Sequence, residues 1–214
     1  MFFCKFPSIP WSNIVVMAET NAKSLASPAH NNNIDDELLV KQFNNGDDSA
    51  FDRIVEEYSA DIAALANRLL GWPGDVDDIV QDVFLAALLG LKKFRCKCSL
   101  KTWLFTITIN ECRNHRYKQV LRLKIFSKAA DKVSLSPAHS ADKTPMENET
   151  FDRIRRAVKA LPAKYREPLV LKYLQELSTD EISRILGISQ NTLQVRLSRA
   201  RKRLKYDLAE LMEE

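Results

Sequence analysis

Cys96, Cys98, Cys112 and His115 carry ligand-type or redox chemistry within one short stretch of the chain. A structural zinc site would need four such groups converging on one ion. Residues from 100 onward read as a helix, which sets Cys112 about 12 residues and roughly 18 Å along the axis beyond the helix start, far from the loop thiols. One shared metal is therefore not expected, and neither is any other cofactor. Thiol redox chemistry at Cys96 and Cys98 stays open. No catalytic residue is expected either: there is no phosphate-binding glycine loop, no nucleophile elbow and no histidine paired with candidate carboxylates. His30, His115 and His139 read as surface residues. With Cys4 the thiols number 4, too few and too irregular for a disulfide framework, so a reducing cytosol fits best.

The chemistry the sequence does carry is recognition. Near the C-terminus Leu193, Leu197, Ala200 and Leu204 form a narrow apolar stripe at helical spacing. Asn191, Gln194, Val195, Ser198 and Lys202 face away from it, with short polar groups able to reach base edges. Arg196, Arg199, Arg201, Lys202 and Arg203 can reach phosphates on either side. A basic amphipathic helix could also meet a membrane or an acidic protein. What precedes it favours DNA: Ser178 and Glu181 make a capping box, Gly187 permits a tight turn, and Ser189 caps the last helix. Helix, glycine turn, helix is a DNA-binding arrangement.

Charge is partitioned along the chain. Residues 35–95 hold 13 acidic and 6 basic side chains, residues 96–132 hold 2 and 9, and residues 151–214 hold 9 and 14, within a formal net charge of +4. Two basic surfaces and one acidic one suggest a polyanion touched twice and a different partner elsewhere. The acidic partner surface is sharpest over residues 75–91, where Val76, Ile79, Val80, Val83, Phe84, Ala87 and Leu88 define the expected buried face. Asp78, Gln81, Asp82, Leu85 and Leu89 fall opposite. Leucines among outward carboxylates give a docking surface apolar area for affinity and charge for orientation.

The elements that position these residues are helical. Only 5 glycines, with 45% hydrophobic residues, favour an all-α fold. Four helices are expected over residues 35–118, broken at 44–48, 71–74 and 95–99. The fourth, residues 100–118, carries Leu100, Trp103, Leu104 and Ile107 on one side and Phe105, Ile109 and Cys112 on the other, so it should be buried on two sides near its start. Its polar and basic later turns include Asn110, Arg113, Asn114, His115, Arg116 and Lys118. Residues 119–147 contain Pro137, Pro145 and many small residues without apolar period, and read as a flexible linker. A second domain follows over residues 148–211. It opens with a helix marked by Phe151, Ile154, Val158 and Leu161, then another beginning at Pro162 and kinked at Pro168.

Residues 18–34 read as a disordered leader, and residues 1–34 as the whole segment ahead of the fold. The stretch MFFCKFPSIPWSNIVVM contains Pro7 and Pro10, lacks a basic start and has no clean cleavage site, so it is not read as a signal peptide. Translation is expected to start at Met17. No run of roughly 20 uncharged apolar residues is present, so membrane insertion is not expected.

Taken together, DDIVQDVF at residues 77–84, FRCKCSLKTWLFTITINECRNHR at 94–116 and LPAKYREPLVLKYLQELSTDEISRILGISQNTLQVRLSRARKRLK at 161–205 resemble the sigma-70 family. Within it the chain is similar to the extracytoplasmic-function subgroup, which keeps the second and fourth conserved regions. The resemblance implies a four-helix region 2 domain, a linker and a helix-turn-helix region 4 domain. It implies that Asp78, Gln81, Asp82 and Leu85 meet the clamp of the largest polymerase subunit, with a further contact on the flap. The loop Arg95, Cys96, Lys97, Cys98 and Ser99 would capture a flipped minus-10 base, and Lys101, Asn110 and Arg113 would hold the opened strand. The minus-35 readers would be Ser189, Gln190, Asn191, Thr192, Gln194, Val195, Arg196, Ser198, Arg199, Lys202 and Arg203.

Two departures from the family pattern stand out. Cys96 and Cys98 occupy a loop where small or polar residues are more usual, and Gln194 with Val195 replaces a commoner Lys-Ser pair. The resemblance also makes an anti-sigma partner plausible. The competing reading is a conventional helix-turn-helix regulator, which would carry a ligand, receiver or dimerisation module where the first domain stands.

Overall fold

The computed structural model describes residues 33–70, 76–129 and 147–208. The expected leader, apart from its last two residues, lies outside that range, as do the break at 71–74 and the linker from residue 130 to 146. Every described element is helical: α1 Asn33–Asn44, α2 Ser49–Leu70, α3 Val76–Leu91, α4 Leu100–Ala129, α5 Glu147–Ala160, α6 Ala163–Tyr173, α7 Thr179–Leu186 and α8 Gln190–Asp207.

Helices α1 to α4 form the first unit, with α2, α3 and α4 each packed on the other two. Its core takes Ile54, Ile62 and Leu65 from α2, Ile79, Val83 and Ala87 from α3, and Leu100 and Leu104 from α4. Helical spacing puts each set on one stripe, and burying that stripe is what stabilises a helix too short to stand alone. Gly90 allows α3 to approach α4, since a Cβ there would lie 3.0 Å from the Trp103 indole. Asp36, although buried, is satisfied: it accepts the Tyr58 hydroxyl at 2.6 Å and the Leu100 amide at 3.3 Å. One carboxylate thus ties α1 to α2 and to the start of α4.

Helices α5 to α8 form the second unit. Ser178 accepts the Glu181 amide while the Glu181 carboxylate takes the Ser178 amide, closing the expected capping box. Gly187 ends α7 at φ 63°, a left-handed conformation that glycine adopts without Cβ strain. Ser189 then caps α8 through the Thr192 amide, and Leu193, Leu197, Ala200 and Leu204 are all buried. The helix-turn-helix is as the sequence indicates.

Three features differ in detail. Leu88, expected in the core, is 39% exposed, and Val80 is only partly buried, because Leu91 and not Leu88 completes the inward stripe of α3. Helix α4 runs on to Ala129 instead of stopping near residue 118, since the stretch QVLRLKIF contains no helix breaker. Pro162 caps α6 from outside its first turn, with a φ of −53°, and Pro168 lies buried inside that helix.

The two units are packed together. Helix α7 lies on α4, and α6 lies on α2. Val170, Leu171, Leu177, Ile182 and Ile185 join residues of α2 and α4 in one continuous apolar cluster. Phe105, Ile109 and Cys112 are buried as well, so α4 is indeed covered on two sides.

Candidate protein and nucleic-acid interfaces

The outward face of α3 is assembled as its spacing requires. Asp77, Asp78, Gln81 and Asp82 are exposed, and Leu85 and Leu89 stand 58% and 73% exposed, with Leu88 beside them. The periodicity that buries Ile79, Val83 and Ala87 turns these residues outward. Three exposed leucines beside three carboxylates form an apolar patch with an acidic border, suited to a partner that is apolar and basic.

The loop after α3 is anchored by Phe94, whose ring centroid lies 4.9 Å from that of Trp103. Beyond it Arg95, Cys96 and Lys97 are exposed, while Cys98 and Ser99 are half-buried. Cys96 sits at φ 50°, a left-handed conformation uncommon for a residue with a Cβ. That backbone conformation favours glycine or asparagine over other residues at the position. Cys96, Lys97, Cys98 and Ser99 line a cavity of about 220 Å³ with Asp36, Glu37 and Phe94, and Arg184 of α7 lines it from the second unit. Burial raises both loop thiols above their ordinary pKa. Among the described residues no cluster of three ligand-type side chains could hold a metal. Cys112 is buried in α4, far along the helix from the loop, and burial pushes its thiol up to about 12.

On α4, the residues expected to hold a strand already have protein partners. Lys101 pairs with Asp61 of α2 at 2.6 Å. Arg113 makes a two-point contact with Glu167 of α6, Nε to Oε1 at 2.9 Å and Nη2 to Oε2 at 2.6 Å. Asn110 is exposed beside it.

On α8 the expected readers divide. Asn191, Gln194, Val195, Lys202 and Arg203 are exposed, while Arg196 and Ser198 are half-exposed. Ser189 and Thr192 are engaged with each other in the cap, at 2.9 Å between hydroxyls, and Gln190 donates to Asp180 of α7. These three hold α8 in place. The positive charge of Arg199 and its neighbours lowers the Tyr165 hydroxyl below its ordinary pKa, and the Arg203 guanidinium lies 4.9 Å from the centroid of the same ring, with Lys164 at 5.1 Å. Tyr165 thus positions a basic cluster, a role spacing within α8 alone cannot reveal.

Residues 54–121 match the model of Sigma-70 region 2, and residues 151–204 that of Sigma-70, region 4. The ECF RNA polymerase sigma factor SigW of Bacillus subtilis is 32% identical over 181 residues, spanning 80% of this chain and 96% of its own. The chain belongs to the extracytoplasmic-function group of the sigma-70 family. Another relative, the ECF RNA polymerase sigma-E factor of Escherichia coli K12, is 29% identical over 78% of this chain and 91% of its own. Of the solved structures, CnrH in complex with the cytosolic domain of CnrY is 26% identical, with a TM-score of 0.61 over 82% of this chain and 98% of that one. The sigma factor RpoE in complex with the anti-sigma factor NepR, from Bartonella quintana, is 26% identical, with a TM-score of 0.54 over 74% of this chain and 96% of that one.

In this sigma-70 family chain the region 2 match spans α3 and the Cys96 loop, and the region 4 match spans the whole helix-turn-helix. Asp36, Asp61, Tyr165 and Glu167 escaped the sequence reading. Glu167 did leave a signal, because a carboxylate in the apolar run EPLVL needs a buried partner.

Proposed function

We propose that the chain binds core RNA polymerase and directs it to promoters, where it recognises the minus-10 and minus-35 elements and assists melting. It acts in the cytoplasm and carries out no covalent chemistry itself. The observation that carries this reading is the coexistence, in one chain, of an acidic leucine-bearing face on α3 and a capped helix-turn-helix ending in a basic helix. A helix-turn-helix alone indicates DNA binding; the α3 face adds a protein partner.

Asp78, Gln81, Asp82 and Leu85 would dock on the clamp of the largest subunit, and Leu88 and Leu89 extend that patch. The second unit would meet the flap while α8 reads the minus-35 element through Asn191, Gln194, Val195 and Ser198, with Arg196, Arg199, Lys202 and Arg203 on phosphates. The loop from Arg95 to Ser99 would take the flipped base, with Lys101, Asn110 and Arg113 along the strand. RpoE of Bartonella quintana was solved with an anti-sigma factor, which supports an inhibitory protein partner here too. No helix among the described residues is long and apolar enough to cross a membrane. Titration of the labelled chain with its cognate core polymerase tests the docking role. A saturable complex is expected, and no binding would contradict the proposal.

A further inference from the structure

The loop between α3 and α4 is fixed at both ends and carries two thiols between them. Phe94 holds its start against Trp103, and the Leu100 amide, which opens α4, donates to the buried Asp36. Cys96 and Cys98 stand one residue apart in the stretch between those anchors, and both line the same cavity of about 220 Å³. Burial raises the Cys98 thiol, Arg184 opposes that rise and a charge on Cys96 adds to it, so the two sulfurs and the guanidinium share one neighbourhood. Two carboxylates also line the cavity, and both are engaged. Asp36 accepts from Tyr58 and the Leu100 amide, and Glu37 faces Lys41 at 3.9 Å.

Two thiols without a third free ligand select a narrow class of occupant. Structural zinc takes four ligands and hard cations take oxygen, whereas a soft monovalent ion such as Cu(I) is satisfied by two thiolates in a line. We propose that Cys96 and Cys98 form a two-coordinate site for a thiophilic monovalent ion of the Cu(I) class, and that the bound ion locks the loop against taking in a base. Two S–H bonds break, two S–Cu bonds form and two protons leave to solvent, with no change of oxidation state. The resulting bis-thiolate carries one negative charge, which Lys97 and Arg184 at the same cavity offset. Peroxide sensing suits these thiols less, because burial keeps both protonated and thiolate is the attacking form. A soft metal displaces those protons itself. The consequence for transcription rests on the proposed role of the loop in capturing the flipped base. Joining residue 96 to residue 98 between two fixed ends removes the freedom a base needs to enter.

The full-length chain, Cys96→Ser and Cys98→Ser are each titrated anaerobically with Cu(I) against a colorimetric Cu(I) chelator. One ion per wild-type chain is expected. Binding should be about 100-fold weaker or lost in each serine variant, since even an outer-shell partner of a metal ligand is worth up to about that much. X-ray absorption should find two sulfur neighbours and no nitrogen or oxygen. Should a serine variant fail to fold by circular dichroism, mass mapping of the wild type decides the site: Cu(I) should protect both Cys96 and Cys98 from alkylation. No binding, binding that survives loss of both loop thiols, or one ion shared by two chains overturns the proposal. Run-off transcription with core polymerase is then compared with and without one equivalent of Cu(I) per chain. Promoter transcripts should fall about five-fold or more, the lower end of ordinary coupling between sites, with no fall on a tailed template that core polymerase transcribes alone. No fall at promoters, or an equal fall on both templates, overturns the locking of the loop. A metal-free chain that starts no promoter transcript contradicts the proposed function, whereas the titration still decides whether the two thiols hold the ion.

Discussion

The Asp36 carboxylate and the Tyr58 hydroxyl meet at 2.6 Å in the interior of the first unit, and the second oxygen of Asp36 receives the amide that opens α4. The pair connects the fold to the site, because the residue it holds, Leu100, directly follows the Cys96 loop. Removing the acceptor leaves a buried hydroxyl and a helix-initial amide without their partner.

Asp36→Ala is therefore expected to destabilise the chain by about 1–3 kcal/mol, read as a lower urea midpoint. Burial raises the Asp36 carboxyl above its ordinary pKa of 3.8 despite those two hydrogen bonds. Its favourable contribution is then fully present below the unfolded value and declines as pH rises through the folded one. The wild-type advantage over Asp36→Asn should shrink across that acidic window; an advantage that grows with pH would contradict this reading.

On α3, Asp82→Lys combined with Leu85→Ala should weaken core polymerase binding by tenfold or more, since about 1.4 kcal/mol is tenfold and central apolar anchors commonly exceed that. Both side chains are exposed, so thermal stability should hardly change. Equal affinity for the double variant would remove α3 as the docking face.

Exchanging Gln194 and Val195 on α8 should redirect preference at the upstream promoter element. A good base contact discriminates by about 1–3 kcal/mol, enough to reorder a selected library of sites. An unaltered profile would count against these positions, whereas Lys202→Ala should weaken all sequences alike.

Thiol labelling separates the cysteines by environment. Exposed Cys96 should be labelled by a maleimide in the folded chain, faster as pH rises because its thiol lies above its ordinary pKa. Cys112, buried and with its thiol pushed up to about 12, should react only on unfolding. Mass mapping that finds Cys112 modified as fast as Cys96 would contradict the buried face of α4. Unchanged transcription with both Cys96 and Cys98 replaced by serine would remove a redox role for the loop.

Local chemistry was legible in the sequence. The Ser178–Glu181 box, the left-handed turn at Gly187 and the Leu193, Leu197, Ala200 and Leu204 stripe depend on neighbours a few residues apart, and spacing reveals such relationships directly. The burial of Phe105, Ile109 and Cys112 on a second side of α4 was legible too, although not what covers them. Tertiary partners were hidden. Lys101 and Arg113 read as free cations because Asp61 and Glu167, 40 and 54 positions away, reach them only through the packing of α2 and α6. Leu88 was misplaced since an apolar residue at the margin of a helical stripe can fall on either side of it.

The central claim is tested most directly by run-off transcription from mapped start sites, using cognate core polymerase with and without the purified chain. Initiation at defined promoters only when the chain is present is the predicted result. Core polymerase that starts equally well, or equally poorly, with and without it would contradict the account.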